Sequence, residues 1–180
     1  MIATVPNLLT FSRVAAIPFI VALTYWEHPQ AGWAAGLLFV AAALTDLFDG
    51  LAARRRGQVS ELGRMIDPIA DKLLVCGVLV MLVASGAADA LPALLIVLRE
   101  ILVSGLREFL ASRQVRLPVT RLAKWKTAAQ MAAVALLLVG GPLLEPGRVA
   151  LWLAAALTVV TGWDYLRTGF ARMLAGSRGA

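Results

Sequence analysis

The stretch from Asp46 to Asp71, DLFDGLAARRRGQVSELGRMIDPIAD, sets four aspartates, three consecutive arginines and a glutamate inside an otherwise apolar chain. Asp46 and Asp49 are three residues apart and Asp67 and Asp71 four, spacings that put each pair on one face of a helix. An ionised carboxylate at membrane depth costs a few kcal/mol, and four that converge also repel one another. Such a group needs a cation. Arginine could serve, but two divalent ions bridging four carboxylates and a phosphate-bearing substrate match the charge and the oxygen geometry better. The competing reading makes these aspartates helix caps and loop charges at a solvated end. Asp67 followed by Pro68 suits a cap with proline at the first helical position. Asp46 and Asp49 suit it poorly, because they are expected to end a helix, where the dipole disfavours negative charge. Gly50 and Gly63 allow close approach of backbone or ligand, or serve as packing glycines between helices.

The elements that carry these residues are apolar runs. Of 180 residues, 60% are hydrophobic and only 16% are charged, outside the balance of soluble domains. Runs over Leu8 to Trp26, Gly32 to Ala53, Pro68 to Ser85, Leu91 to Leu110, Thr127 to Val139 and Val149 to Phe170 approach the ~20 residues that cross a ~30 Å hydrocarbon core. The fifth run is short and must borrow from Arg121 to Lys126. Strand-like alternation is missing, so the expectation is an all-α integral membrane protein, a bundle of six transmembrane helices forming a single domain over residues 1–180. No cleavable signal peptide is expected, since no Lys or Arg precedes the first run. Cys76 and His28 are each the only one of their kind, so a metal would be held by oxygen ligands, which suits Mg²⁺ or Mn²⁺.

With six spans, both termini share a side with the second and fourth loops. That side gathers Arg13, Arg54, Arg55, Arg56, Arg64, Arg113, Arg116, Arg121, Lys124, Lys126, Arg167, Arg172 and Arg178, against Arg148 alone on the other. The cation bias makes the terminal side cytoplasmic. The net charge of +6 follows the ends of the spans, so lipid headgroups rather than nucleic acid are the expected neighbours. Trp26, Trp33, Trp125 and Trp152 fall near span ends as interfacial anchors, and Trp163 fits less cleanly.

The long pattern Asp46, Asp49, Gly50, Ala53, Arg54, Gly63, Asp67 and Asp71, at fixed spacing between two spans, resembles the signature of the CDP-alcohol phosphatidyltransferase family. VPNLLTFSR (Val5 to Arg13), LREILVSGLREFL (Leu98 to Leu110) and AKWKTAAQM (Ala123 to Met131) resemble segments of its bacterial phosphatidylglycerophosphate synthase branch. The resemblance implies a membrane enzyme, a homodimer in the bacterial inner (cytoplasmic) membrane, whose cytoplasm-facing polar cavity binds two divalent cations and CDP-diacylglycerol. It implies Asp46, Asp49, Asp67 and Asp71 as metal ligands and Asp71 as the base. It further implies CDP-diacylglycerol contacts from Asn7, Thr10, Gly50, Arg54 and Ser60, and glycerol 3-phosphate as the acceptor.

An acceptor that carries its own phosphate calls for cations near the carboxylates. Arg99, Arg107, Arg113, Lys124 and Lys126 supply them, Arg99 with Glu100 lying inside the fourth run. The plainer reading makes Arg113, Lys124, Arg116 and Arg121 topology determinants only. Phosphatidylglycerol or inositol phosphate are alternative acceptors of the same chemistry. A cation-coupled transporter is the alternative of another class, and it predicts acids spread through the membrane depth and an internal repeat of spans.

Overall fold

The computed structural model describes residues 5–28, 30–56, 61–113 and 120–176, with side chains described from residue 10 onward except at 46–56, 61–65, 67, 68 and 174–176. The described chain is helical: α1 (Val5–Thr24), α2 (Ala31–Arg56), α3 (Glu61–Ala84), α4 (Ala90–Ser112), α5 (Arg121–Val139) and, after a 3-10 turn over Gly141–Leu143, α6 (Leu144–Gly176). Each helix coincides with one apolar run of the sequence, the first and third runs ending one or two residues beyond their helices. α5 starts at Arg121, as the short fifth run required, and the Thr120 hydroxyl caps it by accepting from the Ala123 N–H at 3.2 Å. The turns that reverse the chain before α4 and α6 contain Gly86, Gly140 and Gly141, all at positive φ.

Two boundaries differ from the sequence expectation. α2 runs on to Arg56 and α3 begins at Glu61, so Asp46 and Asp49 lie within a helix rather than at its end, and Asp67 stands in the second turn of α3 rather than at its cap. The added residues, RRR after Ala53 and ELGRMID before Pro68, are mostly Arg, Leu, Glu and Met, strong helix formers that prolong a helix beyond its apolar stretch. The cap reading of Asp67 therefore falls. So does the helix-end argument about Asp46 and Asp49.

The packing closes a ring: α1 against α2 and α3, α2 against α5, α5 against α6, α6 against α4, and α4 against α3, with α3 also touching α5. Contact pairs give the directions. Arg13 meets Asp71, and Ile17 packs against Gly77, so α1 and α3 run parallel. Gly162 lies against Arg99 and Gly169 against Leu106, so α4 and α6 run parallel with one constant offset. Lys72 reaches Ser104, which fixes the register of antiparallel α3 and α4.

The interior is aliphatic and small, with Ile20, Ala35, Phe39, Leu74, Leu79, Ile96, Ala133, Val134, Leu151 and Ala154 fully covered. Gly32 lets α2 approach α5 closely: a Cβ there would stand 2.5 Å from the Val139 carbonyl oxygen. The outside is apolar too, with Phe19, Leu37, Val80, Ile101, Leu153, Val160 and all five tryptophans exposed. Among the described residues, Arg121–Val139 and Gly141–Met173 are long and apolar enough to cross a membrane, and Thr10–Thr24 and Ala31–Thr45 are shorter apolar helices.

Candidate active site

Of the four aspartates, Asp71 is the one whose side chain is described. Arg13, 1% exposed, reaches across from α1 and pairs with its carboxylate, which remains 40% exposed. Burying a guanidinium in an apolar bundle is tolerable only with a partner of opposite charge, and Asp71 supplies it. The counter-ion role that arginine could fill is thus taken, for this carboxylate, by Arg13. Thr10 lies one helical turn before Arg13 on α1 and is likewise buried.

Asp67 is one turn from Asp71 along α3, and Asp46 and Asp49 are one turn apart on α2, which packs against α3. The side chains of Asp46, Asp49, Gly50, Arg54, Asp67 and Asn7, and the whole of Ser60, lie outside the described residues, so the convergence of the four carboxylates does too. The donor set suits a hard divalent cation: all four groups are carboxylates, and Asp71 retains solvent access beside a buried arginine.

The register of α3 and α4 extends the site. Lys72 donates to the Ser104 hydroxyl, and equal rise along two antiparallel helices then sets Arg107 at the depth of the Asp67 to Asp71 turn. Arg107 is exposed, with its guanidinium carbon 5.4 Å from the centroid of Tyr165 on α6. Arg113 stacks over Phe109 at 5.2 Å and is exposed, as is Lys124. These two point away from the packed interior.

Deeper in the bundle, α4, α5 and α6 share a buried polar cluster. Glu100 accepts from Lys126 and from Arg99, the latter at 3.2 Å, with side-chain exposures of 17% for Glu100 and 4% for Lys126. Arg99 also reaches the Thr161 hydroxyl at 3.3 Å and lies over Tyr165 at 5.5 Å. Its Nε is buried and has no hydrogen-bond partner among the described residues. Gln130 donates to the Thr158 hydroxyl at 3.1 Å. The structure therefore brings together Arg99 and Lys126 around Glu100 and links Arg99 to Arg107 through Tyr165. It does not bring Arg113 or Lys124 into that cluster.

Sequence reasoning missed several participants. Lys72 stands directly beside Asp71 and was readable as a charge in an apolar run, but its partner is 32 residues away. Glu100 was visible as an intramembrane acid without an assigned role. Arg13 stood among the topology determinants, although a lone arginine within the first apolar run is itself a signal of burial with a partner. Gln130 lies within AKWKTAAQM but was given no role, and Tyr165 and Thr161 carry no pattern that separates them from ordinary helix residues.

Comparison with known proteins adds to this geometry. The family model for CDP-alcohol phosphatidyltransferase matches residues 3–160. A CDP-diacylglycerol–glycerol-3-phosphate 3-phosphatidyltransferase of Rickettsia bellii is 48% identical over 168 residues, covering 90% of this chain and 93% of the relative. One of the same name from Cereibacter sphaeroides is 39% identical over 208 aligned positions, covering 91% and 94%. A cardiolipin synthase (CMP-forming) of Oryza sativa is 36% identical over 186 positions, covering 92% of this chain and 56% of the relative. With the family's match running from α1 into α6, and with the aspartate pattern on α2 and α3, the chain belongs to the CDP-alcohol phosphatidyltransferase family.

Proposed function

We propose that the protein transfers the phosphatidyl group of CDP-diacylglycerol to sn-glycerol 3-phosphate, giving phosphatidylglycerol phosphate and CMP. The observation that carries this reading is the aspartate pattern on α2 and α3, with Asp71 held by a buried arginine at the depth of Arg107. The names of relatives that align over nine-tenths of the chain support the same donor and acceptor.

In the reaction the acceptor hydroxyl oxygen attacks the phosphorus that bears the diacylglycerol. A new P–O bond forms, the bond to CMP breaks, and CMP leaves with the electron pair. Asp71 takes the hydroxyl proton, and Arg13 holds the Asp71 carboxylate in a fixed place. Asp46, Asp49, Asp67 and Asp71 would hold two divalent cations, Mg²⁺ or Mn²⁺, which when bound neutralise the diphosphate and the leaving phosphate. Asn7, Thr10, Gly50, Arg54 and Ser60 contact the CDP moiety, and the acceptor phosphate is met by cations from α4, from Arg113 at its end and from the first turns of α5. Phosphoryl transfer asks mainly for such positioning and charge neutralisation.

The same reading has six helices spanning the bacterial inner membrane as one domain, with both termini and the polar cavity on the cytoplasmic side, and a homodimer as the assembly. It rests on the cation bias of the loops and on an outer surface of exposed aliphatic and aromatic side chains. Cardiolipin formation is a second reading within the family, favoured by the cardiolipin synthase relative.

Purified protein with Mg²⁺, CDP-diacylglycerol and a panel of acceptors decides among these. Glycerol 3-phosphate should support CMP release, with phosphatidylglycerol and inositol phosphate far behind. Release with phosphatidylglycerol alone would replace the acceptor assignment, and ion flux in liposomes without CMP formation would replace the enzyme by a transporter.

A further inference from the structure

The cations on α4 and α5 are not equivalent. Arg99 and Lys126 are buried and share the carboxylate of Glu100, and Arg99 is further tied to Thr161. Arg107 is exposed and, among the described residues, makes no hydrogen bond or ion pair; its one side-chain contact of note is the ring of Tyr165. Tyr165 itself is 6% exposed, seated on α6 between Gly162 and Gly169, where the absence of Cβ atoms lets α6 close on Arg99 and Leu106. The parallel register of α4 and α6 puts Tyr165 opposite the middle of the interval between Arg99 and Arg107, two helical turns long. One ring therefore receives both guanidiniums, at 5.5 and 5.4 Å. Arg99 is locked on its deep side by Glu100 and Thr161, so its place beside the ring is fixed. The ring in turn limits where Arg107 can stand.

We infer that Tyr165 is a positioning residue for the acceptor site: its buried ring holds the Arg107 guanidinium at the depth of Asp67 and Asp71, where Arg107 meets the phosphate of the acceptor. Arg99, Glu100 and Lys126 form the support beneath, and their charges are spent on one another rather than on the substrate. This rests on the reading of the chain as a glycerol 3-phosphate transferase and refines it. A cation over an aromatic face is attracted by the ring quadrupole, and removing the ring frees a long side chain to sample other rotamers. The loss should fall on the acceptor and leave the lipid donor untouched.

The test is a double-mutant cycle in the full-length protein, reading kcat, the KM for glycerol 3-phosphate and the KM for CDP-diacylglycerol. Tyr165→Leu should raise the acceptor KM about fivefold to twentyfold with the donor KM unchanged, and Tyr165→Phe, which keeps the ring, should restore most of that affinity. In an Arg107→Ala background, Tyr165→Leu should add nothing further to the acceptor KM. Three results overturn the proposal: an acceptor KM unmoved by Tyr165→Leu, a rise that persists in full in the Arg107→Ala background, or Tyr165→Phe as damaged as Tyr165→Leu. Thermal unfolding of each variant identifies a merely structural loss, which would lower stability and move both KM values together. If the wild type released CMP only with phosphatidylglycerol or inositol phosphate, the acceptor assignment would fall by itself. The same cycle read on that acceptor, which also carries a phosphate, would still judge Tyr165.

Discussion

Arg13 of α1 and Asp71 of α3 form an ion pair in which the guanidinium is buried and the carboxylate stays partly open. The asymmetry matters: the arginine cannot leave its partner without stranding a buried charge, whereas the aspartate keeps one side open to solvent. The pair also joins the first helix to the aspartate-bearing third. Replacing Arg13 by Lys keeps the charge and loses the fork geometry, so CMP release should fall about tenfold. Arg13→Ala should fall further and also unfold at lower temperature. Equal activity in wild type and Arg13→Ala would detach this arginine from the site.

Glu100 answers for two cations. Glu100→Gln leaves Lys126 and Arg99 buried without a carboxylate and should destabilise the protein by about 3–5 kcal/mol. Combining it with Lys126→Met removes the stranded ammonium and should recover part of that loss. Denaturation in detergent measures both. Additive losses in the double variant would mean that the two residues act independently.

At the opposite end of the bundle, Arg148 donates to the Gly86 carbonyl at 2.8 Å and the Ala87 carbonyl at 3.1 Å, and the Trp152 indole donates to Asp89 at 2.8 Å. These contacts clamp the turn between α3 and α4 onto α6, far from the aspartates. Arg148→Ala should lower stability by about 1–3 kcal/mol while the KM for either substrate stays put. A change in acceptor KM would contradict the separation of the two ends.

Gly32 sits where α2 crosses α5 against backbone rather than a pliable side chain. Gly32→Ala should therefore cost about 1–3 kcal/mol, with little relief from repacking. Unfolding measured beside Gly105→Ala, at a glycine with nothing near its missing Cβ, gives the comparison. Similar stability of the two variants would mean that the close approach of α2 and α5 is not real.

Much of the architecture was legible because apolar length announces a helix, and the family was legible because the aspartate pattern has fixed spacing. The six runs became the six helices, and the fifth borrowed its first turn from Arg121 to Lys126 as its length demanded. The end of α2 and the start of α3 were misplaced because hydropathy marks where a chain stops being apolar, whereas helix propensity in Arg54 to Arg56 and in ELGRMI carries the backbone further. The cations of α4 and α5 illustrate the other limit. Arg99 and Lys126 were visible as charges, but that Glu100 absorbs both, and that Tyr165 lies under Arg99 and Arg107, depends on the register between helices joined far apart in sequence. Local spacing does not contain that register.

The most direct measurement is CMP release by the purified protein supplied with Mg²⁺, CDP-diacylglycerol and glycerol 3-phosphate, in wild type and in Asp67→Asn and Asp71→Asn. Wild type should form CMP and phosphatidylglycerol phosphate in equal amounts, chelation of the metal should stop it, and each variant should lose at least about a hundredfold in rate. Undiminished release from either variant would contradict the assignment of these carboxylates to the chemistry.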